Sequence, residues 1–330
     1  MLDNFLTVTN LKKYFPVEKG FLDRLLTSQK SFVHAVDDVS FSVNRGDILG
    51  LVGESGSGKS TTGRLCLKLI EPTTGSIMFE GVDLAKLHGE DLRRFRKNMQ
   101  LIFQDPMSSL SPRIRVGDAV KHALSFQGVG TASEQTERTR AILERVGLKP
   151  WSNFYDRYPH QLSGGQRQRV VIARALVLNP KFVVADEPIA MVDVSVRAQI
   201  LELMLELKKE FDLTYLFITH DLAMANYVCH SIAIMYLGKI VETGSKEDVF
   251  GRPLHPYTLA LLSSIPVPDP KAKLQRIIPK GEIPSPINPP KGCRFHPRCP
   301  YAQDICSERE PQLEEIKPQR YAACFFPRNS

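Results

Sequence analysis

Residues 53–61 read GESGSGKST, and Gly53 to Ser60 fits G-x-x-x-x-G-K-[ST], a spacing suited to holding a triphosphate. Gly53, Gly56 and Gly58 permit close backbone approach, so that the amides through Ser55 and Ser57 can line one concavity. Lys59 supplies a mobile positive charge for the β- and γ-phosphates, and the Ser60 hydroxyl can ligate Mg²⁺, with Thr61 completing the run. A helix starting near Lys59 would add its free N–H groups and the positive end of its dipole. The spacing predicts nucleoside triphosphate binding.

Three further polar positions follow apolar runs that read as buried strands. Gln104 follows LIF (101–103), Asp186 and Glu187 follow FVVA (182–185), and His220 follows YLFIT (215–219). In an open α/β sheet, ligands lie beyond the carboxyl ends of the strands, so these side chains are expected at the same edge as the phosphate loop. Asp186 suits Mg²⁺, and Glu187 would polarise the attacking water. His220 can donate to the γ-phosphate or to developing charge, and Gln104 would complete the metal shell or sense the γ-phosphate. Asp186 and Glu187 share a site only if the strand ends between them, and Pro188 favours that ending.

The elements that must position these groups are legible from periodicity. Strands are expected near Phe5–Lys12, over 33–43 and at ILGLVG (48–53), with a helix beginning near Lys59. SEQTERTRAILERVGL (133–148) is amphipathic, within a helical insertion from about 105 to 165. This alternation predicts an α/β core. Composition changes near residue 266: thirteen of the 23 prolines and four of the six cysteines lie in the last 65 residues. Proline removes an amide donor, so this tail is expected to stay out of a sheet interior and form an appendage.

With 330 residues, 42% hydrophobic and 24% charged, the chain is neither collagen-like nor disordered. The formal charge of +7 fits an anionic ligand, nucleic acid, an acidic membrane surface or simply solubility. No apolar run reaches about 18 residues, and MLDNFLTVTN lacks signal-peptide features, so a cytosolic chain is expected. Its cysteines then read first as thiols or metal ligands.

Residues 162–166 read LSGGQ, continued by RQRVVIARAL. At this point the sequence resembles the ATP-binding subunits of ABC transporters across about residues 5–264. The phosphate loop, Gln104-Asp105-Pro106, LSGGQ, VVADEP and ITHD occur in the family's order. The resemblance implies a P-loop NTPase cassette of the ABC type, with a RecA-like core, a mixed sheet and a helical subdomain. It implies an ATPase domain over 1–265 and a Pro/Cys-rich region over 266–330. Ser163, Gly164, Gly165 and Gln166 open a helix and so form a second anion-binding terminus, yet lack a lysine or metal ligands. In the family, two cassettes pair head to tail, and the LSGGQ of one closes over the ATP of the other. Tyr14, in LKKYF, resembles the position that stacks on adenine. After DEP the family usually carries SALD. Here Ala190-Met191-Val192-Asp193 stands in its place; Asp193 is retained, and the missing hydroxyl costs one cross-interface hydrogen bond, about 1 kcal/mol.

DPMSSLSPR (105–113), RPLHPYTLALLSSIP (252–266) and CRFHPRCPYA (293–302) narrow the resemblance to ATPases of dipeptide and oligopeptide importers, a group that also includes nickel and oligosaccharide importers. It implies two membrane permeases as partners, a homologous ATPase subunit in a heterodimer or a homodimer, an extracytoplasmic solute-binding protein acting indirectly, and a peripheral place on the cytoplasmic membrane face. The segment after Gln104 would receive a cytoplasmic helix of the permease.

Cys293, Cys299, Cys306 and Cys324 are separated by five, six and seventeen residues. Structural zinc sites usually space paired cysteines two to four apart. Iron–sulfur clusters accept wider spacings, and importer ATPases with this tail resemble proteins carrying a [4Fe–4S] cluster there. Zn²⁺, free thiols or oxidised pairs are the alternatives, and His296 could add a ligand. Cys66 and Cys229 read as core thiols. The competing functional class is a soluble ABC ATPase acting on nucleic acid or ribosomes, but the positive charge is diffuse, without dense basic runs. No nucleic-acid partner is expected.

Overall fold

The computed structural model describes residues 4–17, 31–265 and 277–329. Its strands, in chain order, are β1 (Asn4–Pro16), β2 (Phe32–Asn44), β3 (Ile48–Val52), β4 (Thr74–Phe79), β5 (Val82–Asp83), β6 (Met99–Ile102), β7 (Phe182–Asp186), β8 (Thr214–Thr219), β9 (Ser231–Tyr236), β10 (Lys239–Ser245), β11 (Glu314–Lys317) and β12 (Arg320–Ala322). The contacts divide the chain into two compact units.

The first unit holds 43–48 and 83–218. Its sheet is parallel: β6 pairs with β7 from Met99 opposite Phe182, and β7 pairs with β8 from Phe182 opposite Thr214. Every residue of β7 and β8 is buried, which explains why these strands read as continuous apolar runs. Between β6 and β7 the unit carries the helices Pro106–Ser109, Val116–Phe126, Ala132–Arg145 and Ser152–Tyr155, followed by Gly164–Leu176. Thr131 starts Ala132–Arg145 through a reciprocal capping box with Glu134. Ile142 and Leu143 are buried on its apolar face.

The second unit holds the described residues of 4–42, 49–82 and 219–329. A four-stranded sheet runs β2-β1-β4-β5, in which β1 and β4 are antiparallel with Leu6 opposite Phe79. Beside it, β3 and β9 are parallel, with Leu49 opposite Ser231, and β9 continues antiparallel into β10. The tail does not stand apart from this unit. Its strand β12 pairs with β10, Glu242 opposite Ala322, and β11 pairs with β12. With β10 on one side and β11 on the other, β12 is bonded along both edges, so the expectation that this tail stays out of the sheet interior does not hold. Over residues 314–322 the one proline, Pro318, falls in the turn between the two strands and costs no ladder bond. The boundary expected at residue 266 falls in 266–276, outside the described residues. Cys66 and Cys229 are buried thiols, each pushed up to about 12 by burial. Among the described residues, no helix is long and apolar enough to cross a membrane.

Candidate nucleotide and cysteine sites

In the second unit the phosphate loop lies between β3 and the helix Lys59–Cys66, the context its spacing requires. Gly58 opens that helix at φ 104°, and a Cβ there would lie 2.1 Å from the Ala35 carbonyl oxygen, so glycine is needed for both conformation and room. At Gly53 a Cβ would lie 2.1 Å from the Met235 carbonyl oxygen. Ser55 and Gly56 are exposed, Ser57 is buried, and Ser60 and Thr61 are half-buried at the first helical turn. Lys59 is buried, and its Nζ donates to the carbonyls of Gly53 and Glu54, each at 2.8 Å. The lysine is thus folded over the mouth of its own loop. This donor set fits a bound triphosphate: an ammonium, glycine amides and a helix start converge without an added side chain.

Glu54 is held from three directions. Its carboxylate accepts from Arg298 Nη1 at 2.8 Å and Nη2 at 3.2 Å. Its N–H donates to the Tyr257 hydroxyl at 2.9 Å, and its carbonyl accepts from Lys59. Tyr14, at the far end of β1, packs against His34 with ring centroids 4.2 Å apart. Its hydroxyl donates to Asp37 Oδ1 at 2.5 Å. Burial and the Asp37 carboxylate push the Tyr14 phenol up. Burial alone would raise Asp37, but the Tyr14 hydrogen bond and the charges of Lys239, Arg294 and Lys12 outweigh it and hold the carboxyl below its usual range. Arg294 donates to the Asp37 carboxylate and to the Leu237 carbonyl. His220 is exposed directly after β8, and Asp221 caps the next helix through the amides of Ala223 and Met224.

In the first unit Asp186 is the buried last residue of β7. Glu187 follows in a left-handed conformation, φ 45°, so the strand does end between the two acids. The Glu187 carboxylate accepts from Gln104 Nε2 at 2.8 Å, joining two of the strand-end residues. Gln104 itself is exposed, one residue beyond Phe103. Ser163 caps the helix Gly164–Leu176: its hydroxyl accepts from the Gln166 amide at 3.3 Å, and Gln166 Oε1 accepts from the Ser163 amide at 3.0 Å. The first helical bond is Arg167 N–H to Ser163 C=O, so the amides of Gly164 and Gly165 precede the ladder. A Cβ on Gly164 would lie 3.6 Å from the Met191 carbonyl oxygen, which brings the LSGGQ turn beside the loop carrying Asp193. Asp193 is exposed at the start of Val194–Phe211.

The family scan matches residues 36–190 to the ABC transporter model and 241–306 to the oligopeptide/dipeptide transporter, C-terminal region. The oligopeptide transport ATP-binding protein AppF of Bacillus subtilis is 48% identical over 327 residues, 98% of either chain. The chain belongs to the ABC transporter ATP-binding proteins of the oligopeptide/dipeptide family. The dipeptide transport ATP-binding protein DppF of Haemophilus influenzae is 46% identical, covering 97% of this chain and 96% of that one. Among solved structures, the dimeric ATP-binding cassette MJ0796 in a post-hydrolysis state bound to ADP and Pi matches with TM-score 0.62 at 27% identity, over 73% of this chain and 98% of that one. This ABC protein is accordingly an ATPase with the P-loop cassette fold.

Its four tail cysteines line one cavity, together with His255 and Phe295. Cys293 N–H donates to the Cys306 carbonyl at 2.8 Å, which closes the two segments on each other. Burial, reinforced by neighbouring thiolates, pushes Cys293 up to about 12 and Cys324 up to about 11. As thiols these groups stay protonated near neutrality; binding a metal centre would require their deprotonation. His296 Nδ1 lies 2.8 Å from the Cys293 carbonyl oxygen. Among the described residues, no group of three or more His, Cys, Asp or Glu side chains is arranged to hold a metal ion. Four thiols around one cavity are a donor set of the kind that both zinc and iron–sulfur centres use.

The sequence reading missed Glu54, Asp37, Tyr257, Arg294 and Arg298. One signal was available: an acid inside an anion-binding loop calls for a nearby cation.

Proposed function

We propose that this ATPase energises the import of peptides, working with two membrane permeases on the cytoplasmic face of the membrane and supplied by an extracytoplasmic solute-binding protein. The observation that carries this is the pair of anion-ready helix starts on one chain: one with Lys59, one led by Ser163 without a lysine. Such a chain suits pairing of two cassettes, each lending its LSGGQ turn to the other's ATP. A homologous, unlike cassette is the expected partner, with self-pairing the simpler case. The match at 241–306 to a transporter region supports import over action on nucleic acid. Nickel and oligosaccharides are the other solute classes open to such a subunit.

In this reading Tyr14 stacks on adenine, while Gly53, Ser55, Gly56, Ser57, Gly58, Lys59 and Thr61 hold the phosphates. Ser60, Asp186 and Gln104 would hold Mg²⁺, which when bound neutralises phosphate charge and orients the γ-phosphate. Glu187, oriented by Gln104, takes the proton of the attacking water. His220 donates to the charge developing on the γ-phosphate. Ser163, Gly164, Gly165 and Gln166 meet the partner's nucleotide, and Asp193 lines the contact between cassettes. The ATPase domain occupies 1–265, with its helical subdomain at about 105–165, and 266–330 forms the cysteine region. Cys293, Cys299, Cys306 and Cys324 would hold a [4Fe–4S] cluster, Zn²⁺ being the alternative, that stabilises a tail with little core of its own. Copurification with the permeases in proteoliposomes, with peptides tested as stimulators of ATP turnover, tests the reading. Stimulation by nickel or an oligosaccharide but no peptide would replace the solute class.

A further inference from the structure

The cysteine tail reaches the nucleotide-binding segments through two arginines. Arg298, between Cys293 and Cys306 in sequence, makes a two-pronged ion pair with Glu54, the second residue of the phosphate loop. Arg294 pairs with Asp37, which in turn fixes the Tyr14 hydroxyl. Both guanidiniums are nearly enclosed, at 10% and 6% side-chain exposure, so these pairs are shielded from solvent screening. Phe295, between the two arginines, packs on Tyr257 with centroids 5.3 Å apart, and Tyr257 holds the Glu54 amide.

Glu54 presents a problem for any loop that binds a triphosphate: its carboxylate adds negative charge where an anion must sit. The two-pronged pairing offsets that charge and fixes the residue whose carbonyl holds Lys59. We propose that Arg298 is a positioning residue for ATP: it neutralises Glu54 and sets the phosphate loop, making the tail a working part of the nucleotide site. Arg294 does the same on the Asp37–Tyr14 side. The proposal rests on the reading of residues 53–61 as the ATP site, and Lys59→Ala tests that reading separately.

The experiment titrates a fluorescent ATP analogue into the full-length protein and follows ATP turnover in parallel. Arg298→Ala should weaken binding about tenfold, within the range of a charge-assisted hydrogen bond. Adding Glu54→Gln should bring affinity back to within about threefold of wild type, because the uncompensated carboxylate is gone. Arg298→Lys, which keeps the charge but loses the fork, should raise KM for ATP while kcat stays near wild type. This variant decides the matter if Arg298→Ala does not fold. Rescue by Glu54→Gln cannot come from the cysteines, which both variants leave alike. Unchanged affinity in Arg298→Ala, no rescue in the double variant, or an unchanged KM in Arg298→Lys would each overturn the proposal. Full ATP affinity in Lys59→Ala would instead remove the site on which it rests.

Discussion

At the scale of single residues, the proposed function divides the work between Lys59, for binding, and Glu187, for chemistry. Lys59 already sits buried with its ammonium on two loop carbonyls, so ATP bound as proposed would exchange those neutral acceptors for charged phosphate oxygens. Lys59→Ala should raise the Kd for ATP by about 10–100-fold, the weight of one charge-assisted contact. Isothermal titration checks this. Glu187 presents its carboxylate to Gln104 and stands in a left-handed conformation that a glutamate adopts at a cost. Glu187→Gln should leave ATP affinity intact and slow turnover by about 10²–10⁴-fold, the usual contribution of general-base assistance. Steady-state kinetics beside nucleotide titration separates the two variants: one loses KM, the other kcat.

At the scale of elements, what could be read from the chain follows from the range of the interactions. The parallel strands β7 and β8 read as apolar runs because both their faces are covered. Gln104, Glu187 and His220 could be placed because each follows such a run directly. The loop–helix context of Lys59 and the cap at Ser163 are local, and the sequence shows them. The pairings of Asp37 with Arg294 and Glu54 with Arg298 span 257 and 244 positions, beyond any periodicity. The tail's strands β11 and β12, only four and three residues long and joined through Pro318, are too short to show a period. The charge cluster on β2 gives its own test. The folded Asp37 carboxyl titrates below its unfolded value of about 4. Its contribution is therefore complete above about pH 4 and is lost as pH falls through the folded value. Asp37→Asn should melt lower than wild type at pH 7, and the gap should close as the pH is taken below the unfolded value. A gap that widens in acid would reverse the sign assigned to this carboxyl.

At the scale of the whole molecule, the first unit presents apolar side chains where a second cassette is expected. Met191 is 63% exposed and Val194 is 78% exposed, flanking Asp193 beside the LSGGQ turn. In the departure from SALD, Ala190 stands in the serine's place and Met191 in the alanine's, so the loop loses a hydroxyl and gains an exposed apolar side chain. Burying such side chains favours association, and a charge among them opposes it. Glu187→Gln protein given ATP should accumulate as a two-cassette species, alone or with its homologous partner, because closure persists when hydrolysis is slow. Val194→Glu in that background should abolish the species on size-exclusion chromatography with light scattering. ATP affinity and melting temperature should stay near those of the parent, since Val194 is 78% exposed. A Val194→Glu variant that pairs as well as its parent would move the contact between cassettes away from this loop, and with it the role given to Asp193.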